Sequence, residues 1–89
     1  MDVVTDMMSK FNQIQLLCFW ISYNTKFKII NNFNGKDGHI IIKIYDNDKS
    51  IKSSSIHKIE NLWLKKESIV LKEMDIIIQY LLVIKTEHE

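Results

Sequence analysis

The sequence predicts an α+β fold: an N-terminal helix, a central antiparallel β-hairpin or small sheet, and a C-terminal helical part. Three observations carry that expectation. Apolar residues from Val4 to Ile21 recur at intervals of three and four, the stripe of an amphipathic helix. Two β-prone runs then flank Asn34-Gly35 and Asp37-Gly38, which hold the chain's 2 glycines and suit the left-handed backbone of a tight turn. Finally, Ser68 to Lys85 runs without Gly or Pro and again repeats at four and three. A mainly β domain with one N-terminal helix is the alternative, because Ile76, Ile78, Tyr80, Leu82 and Ile84 would also share one strand face. Under that alternative, Leu62 to Leu71 would form a hairpin about Lys66-Glu67-Ser68.

The first stripe is Val4, Met7, Phe11, Ile14, Cys18 and Ile21. Asp2, Thr5 or Asp6 serves as its cap. Its second half is apolar all round, from Leu16 through Leu17, Cys18, Phe19 and Trp20 to Ile21. Such a helix is buried on several sides or meets a partner. Tyr23-Asn24-Thr25 ends it, with Asn24 in the left-handed C-terminal position.

The first strand is expected over Lys26 to Phe33, with Phe27, Ile29, Asn31 and Phe33 on one face. The second is expected over His39 to Asp46, with Ile40, Ile42 and Ile44 on one face. A two-residue turn at Asn34-Gly35 would pair Ile29 with Ile40. A four-residue loop, or a turn at Asp37-Gly38, shifts the register by an even step and keeps the same faces together. Phe27, Ile29, Ile40, Ile42 and Ile44 are therefore the expected core of the hairpin, and the more apolar second strand is expected at its centre. Lys49 to Ser53 adds a short third strand. After three serines suited to capping, Ile56, Ile59, Leu62 and Trp63 follow a helical stripe. Val70, Met74, Ile77, Leu81 and Ile84 form the last one, with Lys72, Asp75, Gln79 and Thr86 as its polar counterpart.

At 89 residues the chain is expected to form a single small domain over 1–89. It has no Ala, Arg or Pro and is rich in Ile, Lys and Asn, the signature of an AT-rich genome such as that of a virus, a phage or a low-GC bacterium. Net charge is +1, so no global field steers it to nucleic acid or anionic lipid. The one cysteine forms no internal disulfide and fits an intracellular, cytoplasmic setting; for a viral protein that is the host cytoplasm. The apolar runs Leu16 to Ile21 and Ile76 to Ile84 are too short for the ~20 residues of a membrane span, so no membrane is expected as partner.

Chemistry is sparse. Cys18, His39, His57 and His88 have none of the spacings of a metal site, and no metal or cofactor is expected. Asp46-Asn47-Asp48 opens like a calcium loop, but Ile51 and His57 stand where that loop needs Gly and Glu. Cys18 lies on an apolar stripe, where a thiol is a small hydrophobe. Asn34-Gly35-Lys36-Asp37-Gly38 precedes a strand rather than a helix, so it is a turn and not a phosphate cradle. No enzyme and no small-molecule substrate are expected.

Two binding readings remain. The first is a small non-enzymatic accessory or inhibitory factor that binds a protein partner, or itself as a homo-oligomer, through Leu16, Phe19, Trp20, Trp63 and Tyr80. Trp and Tyr are frequent interface anchors, and leaving several large apolar groups exposed without use is costly. The second is a weak nucleic-acid-binding module using Lys26, Lys28, Lys36 and Lys43 on the hairpin, with Tyr45, Phe27 and Phe33 nearby. Lys58, Lys65, Lys66 and Lys72 form a further basic group. Without arginine, the usual bidentate reader of phosphate and bases is missing.

Overall fold

The computed structural model describes residues 3–46 and 55–89, apart from the Val3 side chain. In chain order they form α1 (Val3–Asn24), β1 (Phe27–Asn34), β2 (His39–Asp46), β3 (Ser55–Ile59), a 3-10 turn (Leu62–Leu64) and α2 (Glu67–Glu87). The three strands make an antiparallel meander in the order β1-β2-β3. The expected α+β class is the one observed, with β2 at the centre. The expected third strand at Lys49 to Ser53 lies outside the described residues, as do Asn47 and Asp48.

Each connection reverses the chain, and an odd number of strands separates the helices, so α2 runs parallel to α1. Two contacts with the same 65-residue separation mark that alignment. Lys10 pairs with Asp75 near one end, and the Lys85 ammonium sits 4.8 Å from the Trp20 ring centroid near the other. The helices lie side by side on one face of the sheet, α1 against β1 and α2 reaching β3.

The core is where the three- and four-residue stripes meet the alternating strand faces. Ile14, Leu17, Cys18 and Ile21 of α1 pack against Ile40, Ile42 and Ile44 of β2, Ile59 of β3, and Val70, Met74, Ile77, Ile78, Leu81 and Ile84 of α2. Burying an aliphatic side chain of this size is worth about 1.5–3 kcal/mol. Phe27 and Ile29, expected in this core, are only partly buried at its margin. Val4, expected on the same stripe, is 56% exposed. It lies one turn before Met7, where the partly buried contacts of α1 with the core begin.

The hairpin closes through a four-residue loop, Gly35 to Gly38. It sets Ile29 opposite Ile44, Asn31 opposite Ile42 and Phe33 opposite Ile40. The faces are those the pattern requires. The Asn34 carbonyl accepts the Gly38 N–H at 2.9 Å, and the Asn34 side-chain oxygen accepts the N–H groups of Lys36 and Asp37. This Asx-type closure explains the stretch as a turn. Gly38 has a φ of 70°, and a Cβ there would lie 3.0 Å from Trp63 Cδ1 and 3.1 Å from the Leu62 nitrogen. Only glycine satisfies both the left-handed backbone and the close approach.

Two expectations are corrected. Ser55 to Ile59 is a strand rather than a helix start: Ile40 pairs with Ile59, Ile42 with His57 and Ile44 with Ser55. The spacing of Ile56 and Ile59 fits either structure, and the free edge of β2 decides it by offering a ladder. Leu62–Leu64 is a 3-10 turn, with Asn61 in the left-handed region before it. Asn24 is not the left-handed residue, since Asn61 alone among the described non-glycine residues has positive φ. Instead, the Asn24 amide donates to the Trp20 carbonyl at 2.9 Å, and the Thr25 hydroxyl donates to that of Ile21 at 2.7 Å. These bonds satisfy the last carbonyls of α1 without a left-handed residue. The β alternative for the C-terminal run fails because α2 buries the whole 70-74-77-81-84 stripe.

Candidate interaction surfaces

The apolar second half of α1 is divided between two fates. Leu17, Cys18 and Ile21 are buried, whereas Leu16 is 69% and Phe19 72% exposed. Tyr23, one turn beyond Phe19, is also exposed, and the two rings stack with centroids 6.1 Å apart at 11°. Met8 and Val4 continue the exposed line toward the N-terminal end. The result is a stripe at positions 4, 8, 16, 19 and 23 on the side of α1 away from the core. No residue between Phe11 and Thr25 is charged.

The five residues expected at a protein interface are not brought onto one surface. Leu16 and Phe19 share the outer face of α1. Trp20 turns toward α2, half-buried beneath Lys85. Trp63 is exposed on one side but works as a clamp, its indole N–H donating to the Gly35 carbonyl at 2.8 Å. That bond, with Leu62 N–H to the Gly38 carbonyl, fastens the hairpin turn to the segment leading into α2. Tyr80 lies on α2, its ring 4.3 Å from that of His57 on β3. Sequence reasoning missed Tyr23 and Met8. The available signal was their helical spacing from Phe19 and Leu16, which is legible once the core side of the helix is known.

Beside Trp63, an open groove of about 880 Å³ runs between the N-terminal half of α1, the hairpin and the segment before α2. Val4, Met7, Met8, Phe11, Phe33, Leu62, Trp63 and Met74 line it, including three of the chain's 4 methionines, together with the polar Thr5, Ser9 and Asn12 and the charged Lys65 and Glu67. Phe11 meets Phe33 edge-on at 5.3 Å. Methionine makes such a surface adaptable in shape.

The lysines of the alternative reading are also distributed. Lys26 lies 3.4 Å from the buried Asp46 carboxylate, and the Lys28 ammonium donates to the carbonyls of Ser22 and Thr25. Lys36 is exposed on the turn. The ladder places Lys28, Lys43 and Lys58 on the sheet face opposite the helices, in the rows Lys28–Tyr45, Ile30–Lys43–Ile56 and Asn32–Ile41–Lys58. Among the described strand residues no carboxylate points to that side. Phe27 and Phe33 are on the other face, so among the described strand residues Tyr45 is its one Phe, Tyr or Trp ring.

Burial pushes the Cys18 thiol up to about 11, so it stays protonated and unreactive at neutral pH. Loss of hydration lowers the His57 imidazole from its ordinary value of 6.5. Among the described residues no three His, Cys, Asp or Glu side chains gather as a metal site would require. No described helix is long and apolar enough to cross a membrane. Comparison with protein-family models, with curated proteins and with solved structures finds no match.

Proposed function

We propose that this chain is a non-enzymatic protein-binding module whose docking surface is the outer face of α1. The observation that carries this reading is the uncharged stripe of Leu16, Phe19 and Tyr23, which stands clear of a core that is complete without it. Aromatic and aliphatic side chains presented together on a helix are the usual anchors of a helix-mediated interface. The test is affinity capture from the native cell with the wild-type chain and with F19S/Y23S. The variant should retain its fold and lose the wild-type partner; an unchanged set of bound proteins would refute the assignment of the surface.

A second reading, single-stranded nucleic-acid binding, draws on the outer sheet face, where the described strand residues place Lys43, Lys58 and Tyr45 and no carboxylate. It predicts retention on an oligonucleotide that weakens steeply with salt, and loss of that retention in K43E. With one ring available for stacking and isoleucines between the lysines, this surface supports the reading less well than α1 supports protein binding.

A further inference from the structure

We propose that the partner of the α1 outer face is a second copy of this chain, docked antiparallel about a two-fold axis so that each copy's Phe19–Tyr23 stack enters the other's methionine-lined groove. This deepens the protein-binding reading above and rests on it.

The two ends of one helix face are complementary. At the C-terminal end, Phe19 and Tyr23 form a stacked pair standing 72% and 79% exposed. At the N-terminal end, Val4 and Met8 form one wall of the 880 Å³ groove, with Phe33 and Trp63 across it. The Trp63 N–H is already taken by Gly35, so that side chain offers its ring rather than an unmet polar group. Met8 and Tyr23 are separated by about 22 Å along the axis at the rise of an α-helix. Neither end can reach the other within one molecule, but each can reach it in a second.

The positions are also symmetric in number. About a midpoint between residues 13 and 14, Val4 stands opposite the partner's Tyr23, Met8 opposite the partner's Phe19, and Asn12 opposite the partner's Gln15. Small or flexible side chains thus meet aromatic rings at both ends, where sulfur–ring contact is favourable. Two Asn12–Gln15 amide pairs meet at the centre, where polar pairs fix register in helix pairs. Isologous pairing brings identical surfaces together, so like charges on such a face would repel. Here the helix carries no charge from Phe11 to Thr25, Lys10 is paired with Asp75, and the groove adds one cation and one anion, Lys65 and Glu67.

Sedimentation equilibrium of the full chain between about 1 µM and 1 mM, the span of ordinary weak affinities, tests the pairing. A monomer–dimer equilibrium is expected. F19S/Y23S, at one end of the helix, and M8E, at the other, should each raise the dissociation constant at least about tenfold with unchanged far-ultraviolet circular dichroism. A monomer at every concentration would overturn the pairing, as would wild-type association in both variants. A series growing beyond the dimer would mean head-to-tail contact and overturn the two-fold arrangement. Loss of the fold in both variants would place these side chains in the core and overturn it too. A monomer whose F19S/Y23S variant still loses a captured protein would sink the pairing and leave the binding reading standing.

Discussion

The two helices are nearly equal in length, 22 and 21 residues, run in the same direction and cover the same sheet. Their outward sides differ. α2 carries six charged residues, Glu67, Lys72, Glu73, Asp75, Lys85 and Glu87. α1 carries two, Asp6 and Lys10, and Lys10 is paired with Asp75. α2 also exposes Ile69, Ile76, Tyr80 and Val83, but with Glu73 and Glu87 seven residues on either side of Tyr80. Both inward sides are buried, through four residues of α1 and six of α2. Packing therefore accounts for both helices, yet solvation accounts only for the outside of α2. The outer face of α1 is composed as a second buried face, and the difference between the helices is the main reason to seek a partner there.

The strongest way to break this contrast is to substitute both sides of α1. Ile21→Ala removes a fully buried side chain and should cost about 2–5 kcal/mol in denaturant unfolding. Leu16→Ala, on the same helix but outward, should change monomer stability by no more than about 0.5 kcal/mol. Equal losses would erase the distinction between the faces.

Next in size is the turn that supports the groove. Gly38→Ala meets both the positive φ and the 3.0 Å approach to Trp63 and should cost about 1–3 kcal/mol. It should also raise the mobility of the Trp63 ring, read as a change in its fluorescence.

A smaller effect of opposite sign is expected on the inner face of β1. The Asn31 side-chain amide is buried there with neither its oxygen nor its nitrogen hydrogen-bonded, opposite Ile42. Asn31→Val should raise the thermal midpoint, by roughly 1 kcal/mol of stability. A drop would show that the amide has a role the native packing uses.

The smallest effect is a pH dependence. The His57 pKa is lowered in the folded state, so the unfolded chain binds the proton more readily. Stability from this group is present above about pH 6.5 and declines as pH falls through the lowered value. His57→Gln should flatten that part of the stability–pH curve; an unaltered curve would assign the slope to other groups.

Much of this architecture is legible in the sequence, because periodicity is imposed by burial. The alternation through Ile40, Ile42 and Ile44 fixes which faces meet, whereas the Asn-Gly and Asp-Gly pairs leave the loop length open and the 70-74-77-81-84 stripe competes with a strand reading until its burial is seen. Ser55 to Ile59 is not legible, since two isoleucines three apart fit a strand or a helix, and the unpaired edge of β2 decides between them. The exposed apolar groups are legible as a surplus of large side chains but not in their positions. Trp63 and Trp20 look like anchors by residue type, and their contacts with Gly35 and Lys85 appear only in three dimensions. Tyr23 reads as the end of a helix until its ring is found stacked on Phe19.

The central claim is that the outer face of α1 pairs with a second copy of the chain and is dispensable for folding. Thermal unfolding of the wild type and of F19S/Y23S as a function of protein concentration tests both halves in one experiment. For a self-associating chain the midpoint rises with concentration by mass action. The wild-type midpoint should climb, and the variant's should stay flat while matching the wild type at the dilute limit. A wild-type midpoint independent of concentration, or a variant that has already lost its cooperative transition at the dilute limit, would contradict the account.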